Sequence, residues 1–233
     1  MDRMDLDGDF KNFLQNLIWL QCRWCFGYCA PTNFNPKNLV ILDFTHSTVT
    51  DDWGGWSQIK VCLCFCFNLI LLFVMFTYSR SLEVDFFYFL YFLLLQMLNK
   101  LKVLNLSCEC IHRAPHLSGF PTLERLELDG CFQLCRLDGL EELESLKYLS
   151  IGLCYNLEML PDLSKLTKLQ TLNVNYCRNL TVIQGLDKLE SLEVLNTSGC
   201  DALERLPNLS NLEKLTTFKS SGCMKLVEIH GLD

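Results

Sequence analysis

Cys108, Cys110, His112 and His116 set out C-x-C-x-H-x-x-x-H, four donors of the kind that hold a tetrahedral zinc ion. A competing pattern claims the first of them. Cys108 aligns with a series of single, evenly spaced cysteines, Cys131, Cys154, Cys177, Cys200 and Cys223. A residue type repeated at one constant interval turns the same way each time. The series therefore reads as a reduced structural ladder of small buried side chains with weak thiol donors. Thiols stacked in parallel are poorly placed for disulfides, so the 14 cysteines are not read as a disulfide framework. Cys22, Cys25 and Cys29 lack a convincing fourth ligand, and no metal or cofactor is expected. Nor is catalysis. The chain has no G-x-S-x-G, no H-E-x-x-H and no phosphate-cradling G-x-x-x-x-G-K-[S/T], and Glu141, Glu142 and Glu144 fall where solvated surface charge is the ordinary explanation.

The chemistry left is recognition, and the element that must position it is a repeat. Leu123, Leu146, Leu169, Leu192 and Leu215 recur at the same step as the cysteines, which follow them at a constant offset. The unit is L-x-x-L-x-L-x-x-C-x-x-L-x-x-L-x-x-L, as in Leu146, Leu149, Ile151, Cys154, Leu157, Leu160 and Leu163. Leu149 and Ile151 are two apart and face one side of a short strand, whereas leucines at every third position suit an irregular or 3₁₀ return. One such coil cannot bury its leucines alone, so coils stack. This is the mark of a leucine-rich repeat. The expected fold is an α/β-type solenoid, a leucine-rich-repeat arc with a parallel β-sheet on the concave face and irregular or 3₁₀ return segments. Leu101, Leu104, Leu106 and Cys108 start a coil one residue short. Leu17 with Leu20, and Leu39 with Leu42 and Phe44, start two more, for about eight coils.

The returns alternate between Gly-Leu (Gly139-Leu140, Gly185-Leu186, Gly231-Leu232) and Leu-Pro (Leu160-Pro161, Leu206-Pro207), as if a two-coil unit had been duplicated. The chain stops within a Gly-Leu return, and the expectation is a piece of a longer protein. Thr197 and Ser220 replace the second strand leucine in the last two coils, where fraying is expected to begin.

Residues flanking the buried strand leucines alternate onto the concave wall. The candidate binding residues there are Arg125, Glu127 and Asp129, then Tyr148 and Ser150, then Asn173, Asn175 and Tyr176, then Asn196, and finally Lys219. Arg125, Tyr148, Tyr176 and Lys219 are the preferred anchors, because aromatic and long cationic side chains concentrate binding energy. The net charge is −7 with no basic stripe, which argues against a nucleic-acid partner.

One interval breaks the solenoid. Val61 to Tyr78 carries no charge and is long enough to suggest a bilayer crossing, and Phe86 to Leu95 is almost wholly Phe, Tyr and Leu. A crossing would interrupt a stack of coils with no span to return. Phe, Leu, Tyr and Ser have pyrimidine-rich codons, Val61 requires a codon starting GT, and Gln96 can be encoded by CAG. The interval has the composition of a translated intron. Its removal joins Lys60 to Met97 and nearly restores the repeat step. The expected organisation is degenerate repeats over 1–60, a hydrophobic insert over 61–96 and regular 23-residue repeats over 97–233. Membrane attachment is expected only if residues 61–78 are truly translated.

Leu17-Ile18-Trp19-Leu20, Pro31-Thr32-Asn33-Phe34, Pro36-Lys37-Asn38-Leu39, Asp51-Asp52-Trp53-Gly54-Gly55-Trp56 and Asn99-Lys100-Leu101-Lys102-Val103-Leu104-Asn105-Leu106 together resemble the repeat region of plant intracellular immune receptors with a nucleotide-binding domain, most nearly the class with an amino-terminal TIR domain. The resemblance implies a cytoplasmic or nucleocytoplasmic module that senses a pathogen effector or a guarded host protein and restrains the nucleotide-binding switch, which this chain lacks. Two alternatives stay open. An extracellular or membrane-anchored receptor fragment would account for the sequons at Asn105, Asn179, Asn196 and Asn208. A ubiquitin-ligase substrate adaptor would carry an F-box, which this chain does not contain.

Overall fold

The computed structural model describes residues 16–21, 38–45, 100–107 and 114–231. Eight three-residue strands run through them: β1 (Trp19–Gln21), β2 (Ile41–Asp43), β3 (Val103–Asn105), β4 (Arg125–Glu127), β5 (Tyr148–Ser150), β6 (Thr171–Asn173), β7 (Val194–Asn196) and β8 (Thr217–Lys219). All eight join one parallel sheet in chain order. That is the sheet of a leucine-rich-repeat arc, one strand per coil.

The register follows from the leucines. The central residues Leu20, Leu42, Leu104, Leu126, Leu149, Leu172, Leu195 and Phe218 lie opposite one another across the whole sheet. From Leu42 to Leu195 they are fully buried. Each contributes roughly 1.5–3 kcal/mol by leaving water, and a slip of one residue would turn the row outward. Behind it, the return leucines such as Leu157, Leu160, Leu163 and Leu166 complete one continuous core.

Four of the strands, β2, β3, β6 and β7, are ended by their own last residue. Asp43, Asn105, Asn173 and Asn196 each use Oδ1 to accept the backbone N–H two residues on, at Thr45 (3.0 Å), Ser107 (3.1 Å), Asn175 (3.3 Å) and Ser198 (3.1 Å). Such Asx turns compete with strand continuation. The residue before each ladder cysteine then has positive φ, at Gly130, Leu153, Tyr176, Gly199 and Gly222, and swings the chain inward. Cys131, Cys154, Cys177 and Cys200 are fully buried and Cys223 is partly so. Their thiols donate to carbonyls of the preceding coil: Leu106 (3.5 Å), Leu128 (3.3 Å), Ile151 (3.0 Å), Val174 (3.1 Å) and Thr197 (3.0 Å). The five are free thiols.

The alternation of returns has a steric cause. Gly139 and Gly185 precede 3₁₀ turns at Leu140–Glu142 and Leu186–Lys188. A Cβ on Gly185, at φ +74°, would sit 2.2 Å from Asp162 Oδ1 and 2.4 Å from the Ser164 amide of the Leu-Pro coil beneath. Asp162 Oδ1 there accepts the Ser164 N–H at 2.9 Å. Gly231 meets Asn208 and Ser210 in the same way, so a Gly-Leu coil is shaped to stack on a Leu-Pro-Asp or Leu-Pro-Asn coil.

β2 pairs directly with β3, although the interval 61–96 lies between them in the chain, and Leu42 stands opposite Leu104. The proposed insert over 61–96, including the candidate membrane span Val61 to Tyr78, lies outside the described residues. So do Cys108, Cys110 and His112 of the zinc-like pattern and the cysteines at Cys22, Cys25 and Cys29. His116 is described, and its Nδ1 lies 2.7 Å from Ser118 Oγ. Among the described residues no helix is long and apolar enough to cross a membrane. Both end coils are open: at the first, Leu17 and Leu20 are only partly buried. At the last, Leu215, Phe218, Leu226 and Ile229 are only partly buried, whereas Thr197 is fully enclosed with its hydroxyl 3.3 Å from the Lys219 carbonyl.

Candidate protein-binding face

Two rows of side chains flank the buried leucines and share one face of the sheet. The first runs Trp19, Ile41, Val103, Arg125, Tyr148, Thr171, Val194, Thr217, and the second Gln21, Asp43, Asn105, Glu127, Ser150, Asn173, Asn196, Lys219. Seven strand spacings of about 4.8 Å make a wall of about 34 Å, wide enough for a protein epitope.

Its centre is organised around Arg125. The guanidinium carbon lies 3.7 Å from the centroid of the Tyr148 ring on the next strand, and the guanidinium also pairs with Glu127. The ring face attracts the cation. Glu127 further accepts a 2.9 Å bond from Asn105 Nδ2, which ties β3 to β4. Arg125, Glu127 and Tyr148 are therefore brought together and held in shape before any partner arrives.

Asp129 lies just past β4. Its Oδ1 accepts the Ser150 hydroxyl at 2.8 Å and the Gly152 N–H at 2.6 Å. Ser150 departs from expectation: it is 1% exposed, enclosed between Asp129 and Asn173, whose Nδ2 donates to Ser150 Oγ at 3.0 Å. It braces the wall and cannot offer a contact, because a small side chain flanked by longer hydrogen-bonded neighbours is covered by them. Asn173 and Asn196 keep only part of their polar groups for a ligand, since their Oδ1 atoms hold the turns. Asn175 also lies beyond its strand, its Oδ1 against Gly152. Lys219 is exposed at the last strand and has no side-chain partner among the described residues.

Tyr176 is placed differently from the other anchors. It sits beyond the end of β6, at φ 57°, and is 46% exposed. Its ring lies over Gly199, where a Cβ would come within 2.5 Å of Cδ1. It therefore belongs to the rim at the strand ends. Phe132 and Tyr155 stack on the same rim, with centroids 5.1 Å apart, and the Arg178 guanidinium lies 5.3 Å from the Tyr155 centroid.

The start of the first row was missed from sequence. Trp19 is 57% exposed, and Ile41 and Val103 are half-buried beside it. The degenerate early coils disclose their leucines but not their flanking positions. The one available signal was the alternation about Leu20, Leu42 and Leu104.

A charged ladder borders the face. Lys102 and Lys147 donate to the two oxygens of Glu124, at 2.7 and 2.8 Å, linking three coils. These two ammonium groups pull the Glu124 carboxyl well below the usual range, to about 2. In the core, the thiols of Cys131 and Cys177 on either side, with burial added, push the Cys154 thiol up. Burial and the nearby Cys177 do the same to Cys200. No cluster of three or more His, Cys, Asp or Glu side chains suited to a metal occurs among the described residues.

No family model matches the chain. It is similar to the functional domain of InlJ from Listeria monocytogenes, which includes a cysteine ladder, at 17% identity over 92% of this chain and 50% of that one, with a TM-score of 0.32. It is similar also to the plant peptide hormone receptor RGFR1 in complex with RGF2, at 15% identity over 97% of this chain and 52% of that one, with a TM-score of 0.29. An internalin, inlF, from Listeria monocytogenes matches at 13% identity over 83% and 81% of the two chains, with a TM-score of 0.16. The chain spans about half the length of the first two. Its own repeat and its eight-stranded parallel sheet give it the fold of a leucine-rich-repeat arc.

Proposed function

We propose that this chain is the protein-recognition arc of a plant intracellular immune receptor, sensing a pathogen effector or a guarded host protein and restraining a nucleotide-binding switch carried elsewhere in the receptor. The observation that carries recognition is the open face centred on Arg125, Glu127 and Tyr148, built from adjacent strands and already in place. Pre-ordered side chains lose less freedom on binding, which favours affinity. The receptor class and a cytoplasmic or nucleocytoplasmic setting rest on the resemblance of the Pro36-Lys37-Asn38-Leu39 and Trp53-Gly54-Gly55-Trp56 stretches. In this reading residues 61–96 are a translated intron. The direct pairing of β2 with β3 supports that, because the coils on either side already stack without the interval.

The test is full-length transcript sequencing across the Lys60–Met97 junction and upstream of Met1. The expected message joins Lys60 to Met97 and encodes TIR and nucleotide-binding domains ahead of the repeats. A mature message that retains residues 61–96, with no nucleotide-binding region upstream, would overturn the receptor assignment.

A further inference from the structure

The wall is uneven along its length, and the unevenness specifies a partner. The first row is apolar from β1 to β3, at Trp19, Ile41 and Val103, and ends on the Tyr148 ring. The second row and the turn beyond it carry carboxylates at Glu127 and Asp129. Arg125 is the cation among them, and it is already held by Glu127 and the Tyr148 ring. Asp129 has no cationic partner among the described residues. Its Oδ1 is occupied by Ser150 and Gly152, which leaves Oδ2 for a donor. Lys219 cannot neutralise this region. It lies four strands from Glu127, about 19 Å at about 4.8 Å per strand, and charges beyond a Debye length of about 8 Å are largely screened. From β6 to β8 the rows are neutral apart from Lys219, with Thr171, Val194 and Thr217 in one and Asn173 and Asn196 in the other.

We propose that the half of the wall from β1 to β5 takes an extended protein segment that is apolar along one edge and basic along the other. This rests on the reading of the concave face as the recognition surface, and it assigns the partner's chemistry. The two rows are separated by two residues of strand, about 6.7 Å. A segment lying across the strands above the buried leucines directs alternate side chains to opposite rows. Apolar side chains on one edge cover Trp19, Ile41 and Val103, and Lys or Arg on the other meets the remaining oxygen of Asp129. Opposite charge at such a surface selects partners and speeds encounter.

The full-length chain, immobilised, is panned against phage displaying random peptides long enough to cross five strands, and the enriched peptides are titrated on the chain and on three variants, Asp129→Asn, Trp19→Ser and Tyr148→Ala. Asp129→Asn removes the charge but keeps the oxygen that Ser150 and Gly152 need. Trp19→Ser alters a side chain that is already more than half exposed. The expected peptides alternate apolar and basic residues. They bind about fivefold more weakly to Asp129→Asn, a loss of the size a half-exposed charge pair contributes, and more weakly to Trp19→Ser. Added salt weakens their binding. Peptides lost on Trp19→Ser or on Tyr148→Ala, yet acidic or uncharged, overturn the partner chemistry and leave the concave reading standing. Peptides indifferent to all three substitutions, or no enrichment at all, overturn both.

Discussion

Gly185→Ala measures how far stacking in this solenoid depends on a missing side chain. Gly185 is at φ +74°, where an L-residue with a Cβ costs roughly 1–2 kcal/mol. The added methyl would also fall 2.2 Å from Asp162 Oδ1, 2.4 Å from the Ser164 amide and 2.9 Å from Ser164 Cα. Two of these atoms are backbone, in a turn held by Asp162 itself and by the 3.0 Å bond from the Leu163 N–H to the Gln184 carbonyl. The clash therefore separates two coils, at a cost typical of overpacking, about 1–3 kcal/mol. The total is about 2–5 kcal/mol. Gly130→Ala supplies the control. It has the same φ of +74°, but its added Cβ would meet nothing nearer than Phe132 Cε1 at 3.9 Å. Only the conformational cost of about 1–2 kcal/mol remains. Urea unfolding of the two variants against the parent chain gives the difference. If Gly185→Ala and Gly130→Ala destabilise equally, the return alternation is not a stacking code and the steric reasoning is wrong.

Two further outcomes follow from the charged border and the thiol ladder. Glu124 has a folded-state pKa of about 2 against an unfolded value of about 4.3, so its stabilising effect is complete above the unfolded value and lost as pH falls through the folded one. Screening at this partly exposed site reduces the effect to about 1 kcal/mol. Glu124→Gln is expected to be less stable than the parent by about that amount at neutral pH and to converge with it as the pH falls below the folded-state pKa; a gap that does not shrink in acid refutes the Lys102–Glu124–Lys147 ladder as its source. Iodoacetamide labelling mapped by peptide mass spectrometry is expected to modify the exposed Cys135 rapidly. Cys131, Cys154, Cys177 and Cys200 should react only in denaturant, because burial keeps the reagent from all four and the raised pKa of Cys154 and Cys200 leaves those two little thiolate. Native labelling of Cys154 at the rate of Cys135 would contradict the enclosed ladder.

The buried half of this protein was legible because its physics is periodic. Leucines at one constant step determine which residue of each strand faces inward, and with it the strand register, the shared core and the inward turn of Cys131, Cys154, Cys177 and Cys200. Even the weak coils at Leu20 and Leu42 could be placed, since two buried positions suffice to align a strand. The open face was legible only as a set of outward positions. Whether such a side chain is free depends on what its neighbours from other coils do with it, and those neighbours lie a whole repeat away in the chain. Ser150 is closed off by Asp129 and Asn173 from adjacent coils, while Arg125 is parked on Tyr148 from the next strand. Tyr176 leaves the wall because its backbone adopts positive φ over a glycine of the following coil. The order of hydrophobic residues determined the solenoid by itself, because burial depends on one side chain at a time. Only the tertiary structure decided the binding surface, because a hydrogen bond or ring contact between coils depends on two.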